Sequence, residues 1–270
     1  MKAHFQTPDG CRLAYEVEGT GRPVLWQHGL GATSAQPAEV FPDMTALPGF
    51  QRITLICRGH EGSDLGPPAQ LSIAQFTDDA LALMDHLGIP SAAVGGISLG
   101  AAIALRLATL HPTRATALIL ARPAWLDQPA PPTMQAYLEV ARLLALHGET
   151  GRALFKSGKT YRDLHMASPD NAASLASFFT RPNPETTIAL LSRIPLDGPG
   201  VTAAQIQALT LPTLILVTAE DHVHPPAYGE RLAQLIAHST LTRLTPKGRD
   251  KPAHIAEFRA ALAALLTANL

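Results

Sequence analysis

The stretch VGGISLGAA, residues 94–102, sets one serine among closely spaced glycines at the end of a short apolar run. Ser98 is the centre of a G-x-S-x-G element, Gly96-Ile97-Ser98-Leu99-Gly100. Glycine and serine are common enough for this pattern to arise by chance, so its neighbours decide its meaning. AAVGGI (92–97) reads as a buried strand, and LGAAIALRLATLHP (99–112) reads as a helix that stops before Pro112. A sharp strand-to-helix turn holds its central residue in a strained backbone conformation with the side chain presented outward. The flanking glycines, with Gly95, Ala101 and Ala102, remove side chains that would collide across such a turn. Ser98 is therefore predicted to be a nucleophile at an elbow.

Outward from the elbow, short apolar runs recur at VLWQH (24–28), RITLIC (52–57), ALILA (117–121), TLILVTA (213–219) and LTRLT (241–245), most of them separated by helical spacing. Runs that are apolar on both faces and alternate with helices predict a parallel sheet covered on both sides. The opening HFQTPDGCRLAYEVEG turns at Pro8-Asp9-Gly10 and predicts a hairpin. FTDDALALMDHLG (76–88) predicts a helix with acids in its first turn and a stop at Gly88. Residues 123–208, entered through DQPAPPT, carry amphipathic helical patterns and no convincing strand, too long a stretch for one crossover. They are predicted to form a helical lid on a core made of residues 1–122 and 209–270.

With 270 residues and 46% hydrophobic side chains, the chain can bury a core of its own. Twenty-one basic against 22 acidic side chains leave a net charge of −1, so no basic excess attracts nucleic acid or an anionic membrane. The expected partner is a small-molecule substrate, and a homo-oligomer stays open. MKAHFQTPDG lacks the apolar core of a signal peptide and no apolar run has membrane-spanning length, so a cytoplasmic location is expected. Cys11 and Cys57 have no metal-knuckle spacing and are read as reduced thiols, Cys57 packed rather than reactive.

Taken together, these features resemble the α/β-hydrolase fold superfamily, and the resemblance extends over nearly the whole chain. Trp26-Gln27-His28-Gly29-Leu30-Gly31 is similar to that family's His-Gly loop after the third strand. Cys57-Arg58-Gly59-His60-Glu61-Gly62-Ser63 resembles its Asp-x-Arg-Gly-x-Gly-x-Ser element, with Cys57 in place of the usual aspartate and Glu61 where glycine is common. The implied fold is a mostly parallel central sheet flanked by helices, with a lid inserted after the sixth strand. The family's chain order of nucleophile, acid and histidine implies Ser98, then Asp221 in AEDHVHP, then His254 opening the last helix in HIAEF. Asp127 and Glu220 are substitutes for the acid, while His222 and His224 share the acid's loop and are expected only to line the pocket. The implied oxyanion donors are the backbone N–H groups of Leu30 and Leu99. His28 and Trp125 are candidate pocket residues, although His28 and His60 are first expected to bond within their own loops.

The expected activity is cleavage of a small-to-medium carboxylic ester or lactone through an acyl-enzyme, with no metal and no cofactor. The same groups suit C–C bond hydrolysis or perhydrolysis, and a ligand-binding receptor of the same fold is the non-enzymatic alternative.

Overall fold

The computed structural model describes residues 2–43 and 45–269. Eight strands form one sheet in the order β1-β2-β4-β3-β5-β6-β7-β8. They are β1 (Lys2–Gln6), β2 (Arg12–Gly19), β3 (Arg22–Gln27), β4 (Phe50–Leu55), β5 (Ala92–Ile97), β6 (Ala115–Ala121), β7 (Thr213–Thr218) and β8 (Ser239–Leu244). β1 and β2 pair as the expected antiparallel hairpin, β2 lies antiparallel to β4, and every later pairing is parallel. β5 and β7 are buried at every position, which is why both read as unbroken apolar runs.

The helices of the sheet layers are α1 (Ala35–Val40), α2 (Ile73–His86) and α3 (Leu99–Leu110). Between β6 and β7 come α4 (Gln135–His147), α5 (Gly151–Ser157), α6 (Lys159–Ala167), α7 (Pro169–Ser177), α8 (Pro184–Arg193) and α9 (Ala203–Gln207), with no strand among the described residues of that stretch. α10 (Pro226–Leu235) follows β7, and α11 (Lys251–Asn269) closes the chain. Leu13, Leu25, Phe76, Leu107 and Leu118 fill one side of the sheet. Trp26, Phe41, Ile119 and Phe258 fill the other, with the Trp26 and Phe258 rings edge to face at 6.0 Å.

The helix expected at 76–88 begins three residues earlier, because Ser72 caps it by accepting a hydrogen bond from the Gln75 N–H. Asp78 and Asp79 consequently fall in the helix interior and not in its first turn. Asp79 faces inward and pairs with Arg58 of the loop after β4, Nη2 to Oδ1 at 2.7 Å and Nε to Oδ2 at 2.7 Å. Arg58 is fully buried and also holds Asp9 and Gln70, so one guanidinium joins the first hairpin, α2 and the loop that carries His60. Cys57 beside it is buried, which raises its thiol pKa and keeps it protonated.

Candidate active site

The turn at Ser98 has the geometry that its glycines predict. Ser98 adopts φ +57° and ψ −108°, and its N–H donates to the Ala121 carbonyl at 2.9 Å. A Cβ on Gly96 would lie 2.6 Å from Gly100 C, and one on Gly100 would lie 2.5 Å from the Gln27 carbonyl oxygen. Only glycine at both positions lets α3 start this close to β3. The elbow therefore sets Ser98 at the carboxyl end of β5 and the amino end of α3, where parallel α/β sheets bind ligands.

Ser98 Oγ lies 2.8 Å from His224 Nε2, and His224 Nδ1 lies 2.8 Å from Asp221 Oδ1. The histidine in contact with the serine is thus His224, three residues after Asp221. His254, expected in this place, sits in the first turn of α11 with its Nδ1 2.8 Å from the Thr245 carbonyl, on the wall of the same cavity. The difference arises in the loop after β7. Glu220 at φ +60° turns the chain, and Asp221 Oδ1 accepts the His224 backbone N–H at 3.2 Å as well as facing its ring. Asp221 thereby folds its own loop so that the ring three residues on points at the elbow. Beyond β8, Gly248 is followed by Arg249, whose guanidinium pairs with Glu220 at 2.5 Å. Asp127 does not line the cavity, and His222 is exposed.

Arg122, the first residue after β6, completes the cluster. Its Nε donates to Asp221 Oδ2 at 2.6 Å and its Nη2 lies 3.2 Å from His224 Nδ1. A guanidinium only donates, so the charged Asp221 oxygens decide the tautomer: Nδ1–H of His224 donates to Asp221, leaving the Nε2 lone pair for the Ser98 hydroxyl. Burial raises the Asp221 carboxyl, but His224 and Arg122 outweigh it and hold the group far below the usual carboxylate range. Burial lowers the His224 pKa, Asp221 opposes that, and the Arg122 charge adds to it, so the ring is kept neutral. Position alone could have flagged Arg122, since side chains just past the carboxyl ends of parallel strands commonly face the site.

Leu30 lines the same cavity and Leu99 opens α3 directly after the serine. Among the described residues no acceptor takes the backbone N–H of either. The loop holding Leu30 is fixed from both sides: Gly29 N–H donates to Gln36 at 2.7 Å and Gly31 N–H to His60 Nε2 at 2.8 Å. His60 must therefore carry its proton on Nδ1, which donates to the Arg58 carbonyl, and burial pushes its pKa down to about 3.

Two expected pocket residues lie elsewhere. His28 is fully buried below the loop, accepting the Cys57 N–H at Nε2 and donating from Nδ1 to the Gly29 carbonyl, so both nitrogens serve the backbone. Trp125 is buried with its indole N–H on the Asp197 carbonyl at 2.8 Å. Asp197 in turn accepts the Ile73 N–H at the start of α2. Trp125 is thus an anchor of the helical segment and not part of the cavity wall. That wall takes Tyr137 from α4 and Asn171 and Ser174 from α7, around a cavity of about 650 Å³. Burial pushes the Tyr137 hydroxyl up to about 12, and Asn171 Oδ1 accepts the Val223 N–H, tying α7 to the loop of Asp221. Among the described residues no group of three or more His, Cys, Asp or Glu side chains is arranged to hold a metal, and no helix is long and apolar enough to cross a membrane.

The profile of the family described as alpha/beta hydrolase fold matches residues 22–250. The chain is 29% identical over 185 residues to 3-oxoadipate enol-lactonase 2 of Acinetobacter baylyi, which covers 68% of this chain and 66% of that enzyme, just under two thirds of its length. It is 27% identical over 240 residues to 2-hydroxymuconate semialdehyde hydrolase of a Pseudomonas species, covering 86% of this chain and 82% of the relative. The crystal structure of the enol-lactonase from Burkholderia xenovorans superposes with a TM-score of 0.70 at 23% identity, over 98% of both chains. With the parallel sheet, the glycine-flanked elbow at Ser98 and a profile match over most of its length, the chain belongs to the α/β hydrolase fold family.

Proposed function

We propose that the protein is a serine hydrolase that cleaves a small-to-medium carboxylic ester or lactone through an acyl-enzyme, with Ser98 as nucleophile, His224 as base and Asp221 as the acid. The observation that carries this reading is the unbroken chain Ser98 Oγ, His224 Nε2, His224 Nδ1, Asp221 Oδ1, both links at 2.8 Å. The Ser98 oxygen attacks the carbonyl carbon as its proton passes to His224 Nε2, and Asp221 stabilises the imidazolium without taking the proton. The N–H groups of Leu30 and Leu99 receive the oxyanion. His224 then returns the proton to the leaving alkoxide, and water repeats the sequence on the acyl-enzyme. Residues 123–208 act as the lid, covering Ser98 with Tyr137 and α7 and limiting bulk water at the site.

An ester- or lactone-cleaving reading is favoured by the enol-lactonase relative. C–C bond hydrolysis on the same residues is the second reading, favoured by the semialdehyde hydrolase relative. Labelling by a fluorophosphonate, with Ser98→Ala as control, tests the nucleophile. A panel of p-nitrophenyl esters and lactones, run beside a vinylogous β-diketone, separates the two reactions. Ester or lactone turnover that disappears in Ser98→Ala is the expected result; turnover of the diketone alone would favour the second reading.

A further inference from the structure

Four histidines are buried among the described residues, and three of them have both ring nitrogens engaged: His28 and His60 on backbone groups, His224 on Ser98 and Asp221. His254 differs. Among the described residues its ring makes one hydrogen bond, from Nδ1 to the Thr245 carbonyl at 2.8 Å. A carbonyl only accepts, and burial lowers the His254 pKa, so the neutral ring carries its proton on Nδ1 and leaves Nε2 as a bare acceptor. The residue is 4% exposed and lines the cavity above Ser98, and its Nε2 opens onto that space.

A hydroxyl belongs to the same corner. Thr218, the last residue of β7, is buried and lines the same cavity, and its Oγ1 has no hydrogen-bond partner. Other buried side-chain atoms lack a partner as well, but among the described residues Thr218 alone of them lines this cavity. The β7–β8 register sets Thr218 opposite Leu244, and Thr245, the next residue along, holds the His254 ring. The corner therefore offers a bare acceptor and an unused hydroxyl, and leaving such groups unpaired costs stability. An alcohol is the neutral group that donates to one and accepts from the other through a single oxygen. The corner lies on the β7 side of Ser98, as His224 does, whereas Leu30 comes from the β3 side. On the proposed mechanism His224 protonates the leaving alkoxide, so the alcohol part of a bound ester runs toward His254 and Thr218.

We infer that His254 and Thr218 form a hydroxyl-recognition subsite for the leaving group, and that the substrate is an ester whose alcohol part carries a further free hydroxyl, a monoester of a diol or polyol. This deepens the ester hydrolase reading and rests on it. The free hydroxyl donates to His254 Nε2 and accepts from the Thr218 hydroxyl, which holds the leaving oxygen where His224 returns its proton.

The test compares 2-hydroxyethyl butanoate with propyl butanoate, and 3-hydroxypropyl butanoate with butyl butanoate, pairs in which a hydroxyl replaces a methyl group of similar size. Butanoate release is followed in the wild type, His254→Asn, His254→Gln and Thr218→Val. Each kcat/KM ratio is divided by the ratio for alkaline hydrolysis, which removes the difference in leaving group. The wild type should favour the hydroxyl ester of at least one pair by roughly five- to tenfold, as one neutral hydrogen bond implies. Asparagine can still donate to Thr245 but has nothing at the place of Nε2, so in His254→Asn the ratio should fall to about one. Glutamine brings an amide oxygen near that place and should keep part of the preference, and Thr218→Val should reduce it. Because the ratio is taken within one protein, a change in the active fraction cancels. Binding of the same esters to Ser98→Ala and to Ser98→Ala with His254→Asn, by ligand-observed NMR titration, reads the subsite without turnover. The hydroxyl-over-methyl ratio in affinity should be at least about fivefold smaller in the double variant. A wild type indifferent to the hydroxyl in both pairs, or a preference preserved in His254→Asn or in Thr218→Val, would overturn the inference. Failure of the hydrolase reading has a different signature, no ester turnover and no fluorophosphonate labelling of Ser98, and the titration still decides the subsite in that case.

Discussion

At φ +57° and ψ −108°, Ser98 occupies backbone space that residues with a Cβ seldom adopt, and only its glycine neighbours make room for it. The other residues of the cluster show the same economy of distance. Asp221 shapes its loop through the His224 N–H, orients the His224 ring through Nδ1 and takes the Arg122 Nε. Arg122 thereby opposes protonation of His224 while steadying Asp221, which predicts a pH effect with a definite sign. On the proposed mechanism His224 acts as base only when neutral, so the rate should fall as pH drops through its depressed pKa, below the ordinary imidazole value of about 6.5. Removing the Arg122 charge raises that pKa, and in Arg122→Met the acid limb of kcat/KM should move to higher pH, with a greater loss at pH 6 than at pH 8. An acid limb that stays in place or moves lower would show that Arg122 does not act on His224.

Among the elements, β5 and β7 were legible almost to the residue, while β3, β4 and β6 each begin two residues before their apolar runs. AAVGGI and β5 coincide over 92–97, because a strand buried on both faces shows no polar positions to blur its ends. The start of α2 was misread for the opposite reason. Two adjacent aspartates suggest a helix amino end, yet Asp79 is used in long-range pairing with Arg58, which no local pattern reveals. This pairing makes a stability prediction. In Asp79→Ala the fully buried guanidinium keeps only Asp9 and Gln70, so urea unfolding should show a loss of about 3 to 5 kcal/mol. A loss under about 1 kcal/mol would mean that Asp9 alone satisfies Arg58.

At the scale of the whole molecule, the sequence disclosed the sheet, the elbow and the helical stretch before β7, all of which leave marks within a dozen neighbouring residues, and it singled out the Asp221 loop that the structure brings to the elbow. It did not disclose which histidine meets the serine. Both His224 and His254 follow Asp221 in the chain, and only the turn at Glu220 and the carbonyl of Thr245 separate their positions. Trp125 was likewise legible as an aromatic near β6 but not as a tether, since its partner Asp197 lies at the far end of the helical segment. Trp125→Phe should therefore leave the ranking of acyl chain lengths unchanged while lowering stability by about 1 kcal/mol through the lost indole hydrogen bond. A reordered ranking would return Trp125 to the substrate pocket. The central claim is that His224 is the base of the sheet's catalytic elbow, and the most direct measurement is kcat/KM for one activated ester in His224→Gln and His254→Gln, each checked for folding by its melting curve. The account predicts a fall of at least about 10³-fold for His224→Gln and less than about tenfold for His254→Gln. A His224→Gln enzyme that keeps its activity while His254→Gln loses it would contradict the account and return the base to the last helix.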